Sequence, residues 1–197
     1  MPKAVDHAAR RREIVEVAWK VIAERGIDAT GMRDLARECG FANGALSHYF
    51  PSKNEILRAA WEYVFERTNE RIAEAVAGRR GLDALVRFCE QVMPITPGAE
   101  AEARVVLNFW QRALVHPDLA RINDDAMISW RSFIRRCITE AREDGAVRPG
   151  LDVEVAAEEL LAALMGAQML AALTPSAHTP DVQRQIVSYA VRRLAPA

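Results

Sequence analysis

Between Thr30 and Lys53 the chain reads TGMRDLARECGFANGALSHYFPSK. An apolar-periodic segment from Met32 to Cys39 stops at Gly40. A second short segment runs from near Asn43 to Tyr49-Phe50, just ahead of Pro51. Two short helices joined by a tight glycine-containing turn form the helix-turn-helix pattern. Leu35, Ala36 and Cys39 share one helical face, and Phe41, Leu46 and Phe50 can close over it. That leaves Asn43, Gly44, Ser47 and His48 on another face of the second helix. They are short and polar, suited to close approach rather than to burial. The second helix of such a pair fits the DNA major groove. There Tyr49 can offer its hydroxyl to a phosphate and Lys53 a point charge.

The first 58 residues hold ten Lys/Arg and eight Asp/Glu, a balance of +2, whereas the rest carries −3. A basic end on an acidic body fits a protein that presents one end to nucleic acid. With 50% hydrophobic and 27% charged residues, the whole chain suits a globular protein of one large or two small domains. The three cysteines, Cys39, Cys89 and Cys137, each fall on an apolar stripe and form no CxxC pair. They read as buried reduced thiols of a cytoplasmic protein. No signal peptide is evident, and the nearly apolar run from Leu160 to Leu173 is too short to cross a bilayer, so no membrane partner is expected.

Periodicity then predicts helices throughout, an all-α chain. Ile14, Val17, Ala18, Val21 and Ile22 form a stripe that ends at Gly26. Arg10, Arg11 and Arg12 precede it, either as a solvated helix start or as a basic arm near DNA phosphate. Ser52-Lys53-Asn54-Glu55 is a capping box that opens a helix of some 25 residues, about 40 Å long, reaching to Gly78. A helix of that length leaves a small N-terminal domain (1–52), enters a larger body (53–197) and makes a lever between them. Leu82, Leu85, Val86 and Cys89 mark the next helix. Val105, Val106, Phe109, Trp110 and Ala113 mark another. Trp130, Phe133, Ile134 and Cys137 lie on a long one that starts at Asp118. From Leu160 to Leu173 only Gln168 is strongly polar, and a helix apolar all round must be covered on both sides. Thr179-Pro180-Asp181 starts the last helix. A body of this size has few places to bury the last two helices within one chain. They are therefore expected to form a four-helix bundle across a twofold axis, through Leu161, Leu164, Met165, Gln168, Ile186 and Tyr189.

No catalytic constellation is present. None of His7, His48, His116 and His178 pairs with another ligand at metal-binding spacing, and there is no phosphate loop or nucleophile elbow. No enzyme activity, metal or cofactor is expected. Phe88, Phe109, Trp110, Trp130 and Phe133, with Met169, suit instead a cavity for an apolar or cationic small molecule. For any one of these side chains ordinary core is the competing reading.

Thr30, Asp34-Leu35-Ala36, Cys39-Gly40-Phe41, Gly44-Ala45-Leu46, Tyr49-Phe50 and Lys53 with Leu57 resemble the DNA-binding domain of TetR-type transcriptional regulators. The resemblance implies a homodimer with three N-terminal DNA-binding helices and a larger ligand-binding and dimerisation domain. It further implies a repressor released from a palindromic double-stranded operator by a small-molecule effector. On that reading Arg33, Asn43, Ala45, Ser47 and His48 reach base edges with Gly44 allowing close approach, while Thr30, Tyr49 and Lys53 hold the backbone. Two positions depart from the pattern. Ala42 stands where a capping Ser is usual, leaving the cap to Asn43. Gly31 stands where Ser or Thr usually opens the preceding helix. The body is most similar to the BetI-like subgroup, through Asn108-Phe109-Trp110 and His116-Pro117. Met169 or a neighbour stands where that subgroup carries a late tryptophan. The competing class is a helical interaction protein that keeps the fold without regulated DNA binding.

Overall fold

The computed structural model describes residues 7–42 and 44–196. Among them are eight α-helices, one 3-10 turn and no strand. The helices are α1 (His7–Arg25), α2 (Met32–Glu38), α3 (Lys53–Val76), α4 (Gly81–Val92), α5 (Pro97–Ala113), α6 (Pro117–Glu143), α7 (Val153–Leu173) and α8 (Pro180–Arg192). The 3-10 turn, Ala45–His48, lies between α2 and α3. Start signals read from the sequence hold. Ser52 Oγ accepts from the Glu55 N–H at 3.2 Å, and Thr179 Oγ1 accepts from Val182 at 3.4 Å with Pro180 behind it. The Glu55 carboxylate turns to Arg58 at 3.0 Å. α1 begins earlier than the sequence suggests, so Arg10–Arg12 lie inside it.

The chain divides into two compact units, Met1–Glu66 with Ala101–Ala120, and Arg67–Glu100 with Arg121–Ala197. The division therefore falls inside α3 and not at residue 52. Most of α5, from Ala101 on, and the start of α6 belong with the N-terminal helices. In this first unit Ile14, Ala18, Ile22, Leu35, Leu46, Phe50 and Leu57 are buried. Trp61 stacks on Phe65 at 5.1 Å and on Phe109 of α5 at 4.5 Å.

Burial raises the Glu62 carboxyl pKa; Arg58 opposes the rise and Glu66 adds to it. A carboxyl whose pKa is raised on folding binds its proton more tightly in the folded state. Its contribution therefore favours folding in acid and is lost as pH rises through the folded value. Glu62→Gln mimics the protonated form. It is expected to raise the urea midpoint at pH 7 and to lose that advantage by about pH 3, below the ordinary glutamate range. An equal shift at both pH values would contradict this.

In the second unit Leu85, Phe88, Cys89, Ile134, Ile138, Leu160 and Leu164 are buried. The α4 stripe is turned toward Ala84, Phe88 and Val92, leaving Leu82 and Val86 half-buried. Two buried glutamines close the end of α4. Gln168 Nε2 donates to the Val92 carbonyl at 3.1 Å, and Gln183 Nε2 to Pro94 at 3.3 Å. All three cysteines are free thiols. Burial pushes Cys137 up to about 11 and Cys89 further still. The thiolate is the nucleophile, so neither is primed to react at neutral pH.

α7 begins at Val153, ahead of the apolar run from Leu160, and its 21 residues are by length and composition alone apolar enough to cross a membrane. Ala156, Ala157, Leu160, Leu161, Leu164, Ala167 and Gln168 are nevertheless buried within the second unit.

Candidate nucleic-acid interface

The polar edge of the helix-turn-helix is built from a turn that only glycine allows. α2 ends at Glu38 with Cys39 as its C-cap, and Gly40 follows at φ +72°, where its N–H reaches the Arg37 carbonyl at 3.1 Å. The Phe41 N–H bonds back to Ala36 at 2.8 Å, folding the chain sharply. Gly44, at φ +89°, opens the second element without a side-chain cap. That element is a single 3-10 turn and not the α-helix expected. Its bonds are mostly i to i−3, Ser47 to Gly44 and Tyr49 to Leu46, and the Phe50 N–H alone reaches back four residues to Leu46. A start at a left-handed glycine with no capping side chain supplies no nucleus for a longer α-helix.

Gly44, Ser47 and His48 are exposed on this turn, Ala45 is half-buried beside them, and Arg33 is exposed on α2. Ser47 also donates its hydroxyl to the Gly44 carbonyl at 2.5 Å, which fixes its rotamer. Asn43 lies outside the described residues. Tyr49 is half-buried, its ring 5.5 Å from Phe41 and 4.8 Å from His7.

Two expected phosphate contacts are engaged elsewhere. Thr30 is 1% exposed, and its hydroxyl donates to the Gly26 carbonyl at 2.7 Å. It braces the loop between α1 and α2 from inside. Thr30→Val removes that bond at nearly constant shape. It is expected to lower stability by about 1 kcal/mol and to leave the DNA affinity of the folded protein unchanged. Denaturant unfolding and DNA titration measure the two separately, and an affinity loss without a stability loss would restore the phosphate role. Lys53 is half-buried, with Nζ donating to the Ile27 carbonyl at 3.1 Å and toward that of Asp28 at 3.5 Å.

The same loop is held from α5. Asn108 Oδ1 accepts from the Ile27 N–H at 3.0 Å while its Nδ2 donates to Arg104 at 2.8 Å. Arg112 pairs with Asp28. The Asn54 side-chain amide meets His116 Nε2 at 3.4 Å. Sequence reasoning missed this set. Asn108 is 81 positions from its partner, and its partner is a backbone amide that any residue could supply. At the start of α2 Gly31 cannot cap, but Asp34 reaches back to accept from the Gly31 N–H at 3.1 Å.

The expected ligand-binding aromatics do not form one cluster. Phe88 stacks on Phe133 at 5.0 Å and meets the edge of Trp130 at 5.5 Å, and Trp130 Nε1 donates to Asn69 at 2.9 Å. Arg136 lies over the Phe133 ring at 5.0 Å. Phe109 belongs to the other unit, fully buried against Trp61, and Trp110 beside it is half-buried. Met169 is 45% exposed. These two corrections share a cause, because periodicity reports that a side chain is apolar and not which cluster receives it.

The expected dimer residues divide as well. Leu161, Leu164 and Gln168 are buried inside their own unit. Met165 and Ile186 are half-buried and Tyr189 is exposed. From Leu160 to Leu173 α7 is apolar nearly all round, so that stretch's pattern could not say which side faces in. The outward side carries Val155, Met169, Leu170 and Leu173. Among the described residues no cluster of three or more His, Cys, Asp or Glu could hold a metal.

Residues 14–60 match the bacterial regulatory proteins of the tetR family, and residues 81–196 match the C-terminal family of BetI-type transcriptional repressors. The chain is 29% identical over 188 residues to the HTH-type transcriptional regulator PksA of Bacillus subtilis (strain 168), covering 95% of this chain and 90% of that protein. It is 24% identical to the HTH-type transcriptional regulator BetI of Cronobacter sakazakii, over 98% and 94% of the two chains. A transcriptional regulator from Saccharomonospora viridis, solved in complex with choline, superposes with a TM-score of 0.89 at 26% identity, over 96% of this chain and all of that one. With a matching N-terminal segment and more than half of its length in the repressor family, the chain belongs to the TetR family of bacterial transcriptional regulators, in its BetI-type branch, and is a DNA-binding regulator rather than an enzyme.

Proposed function

We propose that the chain works as a homodimeric cytoplasmic repressor on a palindromic operator and is released by a small organic effector. The exposed polar edge at Arg33, Gly44, Ser47 and His48 carries this reading. The Arg33, Ser47 and His48 side chains are polar and long enough for base edges, Gly44 allows close approach, and Ala45 can meet a thymine methyl. Asn43, between Ala42 and Gly44, completes the base-reading set. Tyr49 has its hydroxyl for the backbone. Two such turns, one per subunit, would occupy successive major grooves about 34 Å apart.

The dimer surface is the outward side of α7 with α8, where Leu170, Leu173 and Tyr189 are exposed. Its apolar character suits pairing with a second copy better than contact with water. The effector belongs to the second unit, where Phe88, Trp130 and Phe133 gather. The choline complex of the Saccharomonospora viridis regulator makes choline the first probe. Arg136 already covers one face of Phe133, so a cation would have to use the remaining ring faces. α3, α5 and α6 each carry residues of both units. Effector binding lowers operator affinity only as far as it prefers the weakly binding state.

The test is fluorescence anisotropy with DNA from upstream of the protein's own gene, against scrambled DNA at two salt concentrations, without and with choline. Tight, sequence-selective, salt-sensitive binding supports the operator reading, and choline-dependent release supports the effector class. Equal weak binding to both DNAs argues against an operator there, and unchanged binding with choline removes choline.

A further inference from the structure

One side of α1 faces the DNA-reading turn with four residues at helical spacing. His7, Arg10, Arg11 and Ile14 stand at i, i+3, i+4 and i+7. The His7 ring lies 4.8 Å from Tyr49. The Arg10 guanidinium lies 4.5 Å from the centre of the Phe41 ring, just before the turn. Arg11 lies 4.0 Å from the centre of the Phe50 ring, just after it, and donates Nη1 to the Tyr49 carbonyl at 2.6 Å. The Ile14 carbonyl is 3.8 Å from Cys39 Sγ, at the end of α2. The two rings that bracket the exposed turn are thus each covered by an arginine of α1.

We propose that Arg11, with Arg10 in support, is a positioning residue for DNA reading, setting the angle at which Ser47 and His48 meet base edges. The turn needs such a brace. It has one 3-10 turn, no side-chain cap and a left-handed glycine at its start, so its own hydrogen bonds fix its orientation weakly. Arg11 acts at its far end through two independent contacts. A guanidinium can stack flat on Phe50 and donate in its own plane to Tyr49 at the same time. A lysine ammonium supplies the charge and one bond, without the stack. With its ring-facing side and one donor engaged inside the protein, Arg11 is assigned the bracing role rather than a phosphate contact, although it sits in a run of three arginines that reads as a basic arm. Arg12 is exposed and serves as the control for that role.

The inference rests on the chain being a DNA-binding regulator, and the experiment separates the two. Wild-type dimer is used to select a binding site from random duplex DNA. A failed selection counts against DNA binding itself. With the selected site in hand, affinity, its salt slope and the discrimination against single-base variants are measured for wild type, Arg11→Lys, Arg11→Ala and Arg12→Ala, with thermal unfolding alongside. Arg11→Lys is expected to lower affinity several-fold and Arg11→Ala roughly tenfold or more. Both should flatten base discrimination and leave the salt slope unchanged. Arg12→Ala should reduce the salt slope by about two, one for each subunit of the dimer, and keep discrimination.

Should Arg11→Ala fail to fold, Arg11→Lys combined with Phe50→Leu closes a double-mutant cycle, in which non-additive losses of discrimination are expected. The proposal is overturned if the Arg11 variants lose salt slope with discrimination intact, since Arg11 would then be a phosphate contact. It is also overturned if they lower only the melting temperature, which a purely structural residue would do, or if the cycle is additive.

Discussion

Phe109→Ala is expected to destabilise the protein by about 3–5 kcal/mol, the range for truncating a fully buried aromatic. Phe109 has no exposed surface and lies 4.5 Å from Trp61 at an interplanar angle of 16°, and Trp61 also stacks on Phe65 at 5.1 Å. Removing the ring opens a cavity against Trp61, at one end of this set of rings, and the buried side chains around it limit how far it can collapse. Because α5 belongs to the unit that carries the DNA-reading turn, DNA binding and thermal stability should fail together. Circular dichroism melts and DNA titration on one preparation would check this. Phe109→Leu, which keeps most of the volume, should recover much of both. A variant that kept full stability would place Phe109 outside the core, and one that lost only an effector response would return it to the ligand-binding set.

The second large effect concerns assembly. Leu170 is 42% exposed on the outward side of α7, beside Met169 and near the more exposed Leu173. Under the proposed twofold arrangement a charge placed there meets a second copy of itself in an apolar setting, which is costly. Leu170→Glu should therefore yield a monomer that keeps its helical content. Operator affinity should drop by about a hundredfold or more, since two linked heads gain 10²–10⁴ over one. Analytical ultracentrifugation and anisotropy read the two effects independently. A stable Leu170→Glu dimer would move the interface elsewhere, and a monomer with undiminished affinity would remove dimerisation from the mechanism.

The helix-turn-helix was legible because its evidence is local. Leu35, Ala36, Leu46 and Phe50 lie within one motif, and Gly40 marks its fold by a backbone angle that glycine alone adopts readily. The caps at Ser52 and Thr179 were legible for the same reason. Thr30 and Lys53 were misread because their partners are backbone carbonyls, at Gly26 and Ile27, which carry no signature in the sequence. Asn108 was noticed only for the resemblance it carries; its bond to the Ile27 N–H stayed invisible because that partner is both distant and generic. On α7 the pattern failed through excess. With apolar residues all round, Leu161 and Leu164 looked as free to face a partner as Leu170 and Leu173 did. The aromatic set failed similarly, since Phe88 and Phe109 have the same chemistry and belong to different units.

The composition of the first unit bears on how this regulator can be recombined. Its core includes residues 101–120 as well as the N-terminal helices. A head cut after residue 66 would lose the ring under Trp61, the acceptor for the Ile27 N–H and the guanidinium beside Asp28. Sensor hybrids that graft this DNA-reading head onto another regulator's body should therefore carry two pieces of this chain rather than one. A graft made only at the familiar boundary would transplant the reading surface without the floor on which it stands.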